Sequence, residues 1–144
     1  MRFVVSLHVA TAIFLLGPLV FAASASPRAL RAGPEGLGTL RFLAKTTRFY
    51  GYAGLLVVAL GMANVQHKYG FSFSQTWVWL SLILTLGAIG AFVLLVAPAQ
   101  FAAAADVESG RDPKARVPLI AAGSGLASLA LLAVVFLMIY KPGL

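Results

Sequence analysis

Long runs without a charged residue, set between short charged segments, organise this chain. The first run extends from Phe3 to Pro27 and is interrupted only by His8. The second, Phe49 to Gln66, follows a mixed segment that begins at Pro34. The third starts near Thr76, after a turn around Tyr69 and Gly70, and stays uncharged through Ala105. The fourth runs from Val117 to Tyr140. A bilayer core about 30 Å thick is crossed by roughly 20 apolar residues in a helix. The pattern therefore predicts four transmembrane helices over about 3–27, 34–66, 74–106 and 117–140, forming a single all-α transmembrane domain, a four-helix bundle. Gly33-Pro34-Glu35 reads as the start of the second helix, with Pro34 at its first position and Glu35 near the positive end of the helix dipole.

Charge sets an orientation. Arg28, Arg31, Arg41, Lys45 and Arg48 fall between the first two runs, and Arg111, Lys114 and Arg116 between the last two. The other side carries only Arg2, Lys68 and Lys141. By the positive-inside rule both basic segments are cytoplasmic, with the N- and C-termini outside the cytoplasmic membrane of a bacterium. Ala23-Ser24-Ala25 has the small-residue character of a signal-peptidase site, but cleavage there would export the segment that follows with its five basic residues. Arg41, Lys45 and Arg48, at i, i+4 and i+7, form one basic stripe. It reads as a headgroup-facing surface and a candidate site for anionic lipid.

Composition agrees with the pattern. The chain has 144 residues and 15.1 kDa, with 60% hydrophobic and 10% charged residues, a net charge of +7 and a mean hydropathy of +0.93. That excludes an ordinary soluble domain, and the membrane-flanking placement of the cations argues against nucleic acid. Without cysteine there is no disulfide, thiolate metal site or cysteine nucleophile.

Two segments resemble each other. Pro18-Leu19-Val20-Phe21-Ala22-Ala23-Ser24-Ala25 aligns with Pro98-Ala99-Gln100-Phe101-Ala102-Ala103-Ala104-Ala105. This suggests two tandem helix hairpins related by an axis along the membrane normal; the alternative is that both prolines simply bend helices to pack. Gly51, Gly54, Gly61, Gly87, Gly90, Gly123, Gly125 and Ala127 are expected to allow close helix contacts. Trp77, Trp79 and Tyr69 are expected to anchor the outer interface.

Candidate chemistry is sparse. No permanently charged side chain lies deep in a run, which weighs against ion pumping, charged-substrate transport and carboxylate catalysis. There is no phosphate-binding loop, dinucleotide motif or catalytic triad, so no catalytic residue is assigned. His8 and His67 are expected near one leaflet, together with Met62, Asn64, Met138 and Tyr140. Imidazole with thioether suits copper(I), and imidazole alone or with methionine suits haem b, which makes His8, His67, Met62 and Met138 candidate ligands and His8 the principal one. The competing expectation for His8 is an interhelical hydrogen bond to Thr11, Asn64 or Ser81, and for His67 a solvated place beside Lys68.

With Ser6-Leu7-His8-Val9 opening the first helix, Gly17-Pro18 following, and Arg48-x-x-Gly51 leading into a helix that contains Gly61, nearly the whole chain resembles a bacterial family of small four-helix integral membrane proteins of uncharacterised role. More distantly, the Leu-His start resembles the copper-resistance D membrane domain and the four-helix protoporphyrinogen oxidase that uses haem b. These resemblances imply a metal or haem site around His8. The first helix lacks the Trp-x-x-Gly-x-x-Tyr-x-x-Arg type of continuation associated with the oxidase. The sequence thus points to a structural, accessory or assembly subunit in the lipid bilayer, meeting its own copies or other membrane subunits, with a haem-b or copper-binding protein as the alternative.

Overall fold

The structure, a computed structural model, describes residues 2–63 and 76–140, and all the long elements among them are helices. Helix α1 covers residues 2–31, α2 is Leu37–Ala63, α3 covers 76–108 and α4 is Val117–Tyr140. The first and third are not uniform. Each opens as an α-helix (Arg2–Thr11; Thr76–Gly90), widens into a π-helical turn (Ala12–Leu16; Ala91–Val96) and closes as an α-helix (Gly17–Arg31; Ala97–Glu108). The cause lies in the sequence. Pro18 and Pro98 have no N–H to give to the preceding turn, and their rings crowd the carbonyl four residues back, so the ladder loosens just before each proline.

Both helices end alike. Gly33 (φ 67°) and Gly110 (φ 76°) adopt the left-handed conformation that glycine tolerates without strain. After Glu108 the Gly110 N–H donates to the Val107 carbonyl at 3.1 Å and the Arg111 N–H to the Asp106 carbonyl at 2.7 Å, the paired bonds of a Schellman cap. A short 3-10 turn then leads into the next helix, Gly33–Gly36 before α2 and Pro113–Arg116 before α4. The two halves thus share one order of features: wide turn, proline, left-handed glycine, 3-10 turn, straight helix. The same distance along the chain separates Pro18 from Pro98 and Leu37 from Val117.

The helices pack in a ring, α1 against α2 and α4, and α3 against α2 and α4. Neighbours run antiparallel: His8 meets Val57 while the end of α1 at Ala29 meets Gly36. The core is concentrated towards the basic end, around Leu19, Ala22, Ala23, Leu40, Phe92, Val96, Ala103 and Ile120. At the opposite end the first two turns of α1 pack on α2, and Phe3, Ile13 and Phe14 are exposed.

Among the described residues three helical segments are long and apolar enough to cross a membrane: Ser6–Arg31, Val78–Glu108 and Pro113–Ile139. That is one fewer than the expected four. Helix α2 has 27 residues, ample length, but its first half carries Arg41, Lys45 and Arg48 among threonines and tyrosines, and that dilutes its apolar stretch. Two helix limits also differ from expectation. Helix α1 continues past Pro27 to Arg31, where its arginines complement the negative helix end. Helix α2 begins at Leu37, because Pro34 opens a 3-10 turn instead of the helix itself. Of the glycines expected at contacts, Gly51, Gly54, Gly61 and Gly123 do face neighbouring side chains, whereas Gly87, Gly90 and Gly125 face none. Trp79 is partly exposed; Tyr69 and the Trp77 side chain lie outside the described residues.

Candidate functional site

His8 sits two turns into α1, on the face against α2. Its ring reaches the Val57 carbonyl, with Nδ1 3.0 Å from that oxygen. Space for the ring comes from Gly61: a methyl group there would stand 2.8 Å from the His8 Cε1. The expected interhelical bond is therefore present, but to a backbone carbonyl and not to Thr11, Asn64 or Ser81. Thr11 turns back on its own helix, its hydroxyl 2.9 Å from the Leu7 carbonyl and 3.0 Å from that of His8. Asn64 and His67 lie outside the described residues. Ser81 is buried on α3, its hydroxyl without a hydrogen-bond partner among the described residues.

As a metal or haem site this is one oriented ligand. When Nδ1 donates to a carbonyl, the imidazole tautomer is fixed and Nε2 keeps its lone pair. The Val57 carbonyl and Gly61 both meet the ring. Met62 is exposed and Met138 half-buried. Among the described residues no group of three or more histidine, cysteine or acidic side chains is placed to hold a metal ion.

One further pair of polar side chains within the bundle joins two helices. Gln100, fully buried on α3, donates through Nε2 to the Ser26 hydroxyl on α1, across the ring. The Ser26 hydroxyl in turn donates to the Ala22 carbonyl at 2.8 Å. The Gln100 Oε1 has no hydrogen-bond partner among the described residues. On α2 the buried Thr47 hydroxyl donates to the Leu43 carbonyl at 2.9 Å. Sequence reasoning missed the Ser26–Gln100 link, although Gln100 is a lone polar residue in an otherwise apolar turn.

At the basic end, Asp106 is the acid most enclosed by the fold. It accepts from Arg111 Nε at 3.2 Å and Arg116 Nε at 3.1 Å, tying the loop between α3 and α4 to the end of α3. Asp112 caps the 3-10 turn by accepting the Lys114 N–H at 3.0 Å. The expected stripe on α2 divides. Arg41 pairs with Glu108 of α3. Arg48 lies with its Cζ 4.8 Å from the centre of the Phe101 ring. Lys45 is exposed.

Among the described residues, fold and site define a class, an all-helical protein with three helices long and apolar enough to cross a membrane, in which His8, Ser26 with Gln100, and Arg41 with Glu108 link one helix to another. Compared with known families, curated proteins and solved structures, the chain finds no match.

Proposed function

We propose that the chain is a small accessory or assembly subunit of a membrane complex, anchored in a bacterial cytoplasmic membrane and meeting its own copies or other membrane subunits. One observation carries the reading: His8, Gln100, Arg41 and Asp106 are engaged in contacts within the fold, while Phe3, Ile13, Phe14, Leu126, Leu129 and Ile139 face outward. In a bilayer such faces suit acyl chains or a neighbouring helix. Helix α2 completes the domain in this proposal. At 1.5 Å per residue its 27 residues extend about 40 Å, beside two helices of membrane-crossing length, so its apolar half crosses with them while its cations stay at the interface. Both termini then lie outside, and the repeated order of features makes the domain two tandem hairpins.

Extraction in a mild detergent tests the role. A subunit migrates in native gels with a defined set of partners or copies, and its deletion lowers the amount of the assembled species. A lone monomer in extracts and unchanged assemblies after deletion would overturn the proposal. Orientation is read separately by thiol labelling at Ala32→Cys and Ser109→Cys, which are exposed at the basic end; the natural chain has no thiol. Labelling of both only after the membrane is opened is the expected result.

The oriented His8 ring supports a second reading, a haem-b or copper-binding protein in which His8 supplies one ligand and His67, Met62 or Met138 the other. A purified protein with a haem spectrum or bound copper that Ala at position 8 abolishes would establish it. A colourless, copper-free protein that takes up neither would end it.

A further inference from the structure

The outward face of α2 at the basic end carries a feature that helix packing leaves free. Lys45, Arg48, Phe49, Tyr52 and Ala53, at helical spacing, line a shallow groove along it. Its cations differ from Arg41 in their engagements. Arg41 is neutralised by Glu108, whereas Lys45 is exposed and Arg48 rests over the face of Phe101. That contact restrains the guanidinium and leaves its N–H edges able to donate, since the ring covers a face and not an edge.

Polarity along the groove has a direction. The cations come first, one turn nearer the basic end, and the exposed Phe49 and Tyr52 follow towards the apolar half of α2. An anionic glycerophospholipid has the same order, a phosphate diester followed by acyl chains. We infer that this groove binds one anionic glycerophospholipid, its phosphate oxygens accepting from Lys45 and Arg48 and an acyl chain lying along Phe49, Tyr52 and Ala53. The inference rests on the chain being embedded in a membrane and is independent of an accessory role. It also narrows the sequence-level stripe, since Arg41 leaves the site and two aromatic residues join it.

The full chain in detergent, titrated with phosphatidylglycerol or phosphatidylcholine and followed by native mass spectrometry, tests this. Phosphatidylglycerol binds in preference to phosphatidylcholine. Each juxtamembrane cation supplies a factor of about five, so Lys45→Gln with Arg48→Gln weakens phosphatidylglycerol binding on the order of 30-fold. Arg41→Gln changes it by less than about twofold, because that charge is already paired. Ala53→Trp fills the groove without altering charge and also weakens binding, which keeps the inference testable should the double variant fail to fold. Three results would each overturn it: equal binding of the two lipids, equal loss in Arg41→Gln, or displacement of the lipid by millimolar inorganic phosphate, which marks a free-anion site. A chain that purifies as a monomer yet still selects phosphatidylglycerol would refute the accessory role and leave this site standing.

Discussion

The pair Ser26 and Gln100 yields a prediction whose sign runs against intuition. Gln100 is fully buried, donates to Ser26 and leaves Oε1 without a partner among the described residues. Replacing it with leucine of similar volume removes one interhelical hydrogen bond, about 0.6 kcal/mol in measured membrane bundles. The same change removes an unsatisfied buried carbonyl, whose desolvation costs about 1–3 kcal/mol. Ser26 is not orphaned, because its hydroxyl already donates to Ala22. Gln100→Leu is therefore expected to be neutral or to stabilise by up to about 2 kcal/mol. Ser26→Ala acts oppositely: it strands both ends of the Gln100 amide and costs about 1–3 kcal/mol. Unfolding of the two variants in mixed micelles of rising denaturing-detergent fraction, followed by helical circular dichroism, measures both against the natural chain. If Gln100→Leu destabilises as much as Ser26→Ala, the Oε1 has a partner and the reasoning fails. The double variant should track Gln100→Leu, since Ser26→Ala does its damage through the amide.

Other substitutions test other contacts. Gly61→Ala would press a methyl group on His8 and is expected to displace the ring, costing about 1–3 kcal/mol by overpacking; an unchanged His8 ring resonance in nuclear magnetic resonance spectra would argue against that close approach. Gly36→Ala places a methyl group onto the Ala29 carbonyl oxygen, a backbone atom that has little freedom to retreat, so loss of the folded species in size-exclusion chromatography is expected and near-normal stability would contradict the turn geometry. Asp106→Asn weakens two charge-assisted bonds and should cost about 1.5–3 kcal/mol, whereas Arg41→Gln, which breaks the more exposed pair with Glu108, should cost less than about 1 kcal/mol. Thermal unfolding in detergent ranks the two, and a larger loss in Arg41→Gln would reverse that assignment.

The sequence made the helices legible because burial in a bilayer imposes long uncharged runs. Helix α4 begins at the expected Val117, and α3 ends at Glu108, two residues past the expected 106. Where charge and helix part company the reading slipped: α1 continues through Arg28 and Arg31, since cations are favoured at a helix C-terminus. The wide turns before Pro18 and Pro98 were invisible because they change hydrogen bonding without changing hydrophobicity. The Pro-x-x-Phe alignment nevertheless singled out the two helices that carry them. At the candidate site, His8 was legible as an interhelical group, but its acceptor is a backbone carbonyl, and every residue offers one. The stripe of Arg41, Lys45 and Arg48 was visible as spacing; its division depended on Glu108 and Phe101, more than fifty positions away along the chain.

The wide turn in α1 also sets an angular phase. A π turn accommodates an additional residue within one helical turn, so the residues ahead of it point about 100° away from where an unbroken α-helix would aim them. Residue count at Ala12–Leu16 is thus a rotation control for everything upstream. Deleting a single residue there would let the turn close to an ordinary α-helix and keep His8 on the Val57 carbonyl, whereas α geometry adopted by the full-length segment would turn His8 about 100° off it while leaving Leu19, Ala22 and Ala23 in the core. The outer stretch of α1 can in this way be re-aimed against a neighbour by a change of hydrogen-bond pattern within one turn, independently of the end that holds the bundle together.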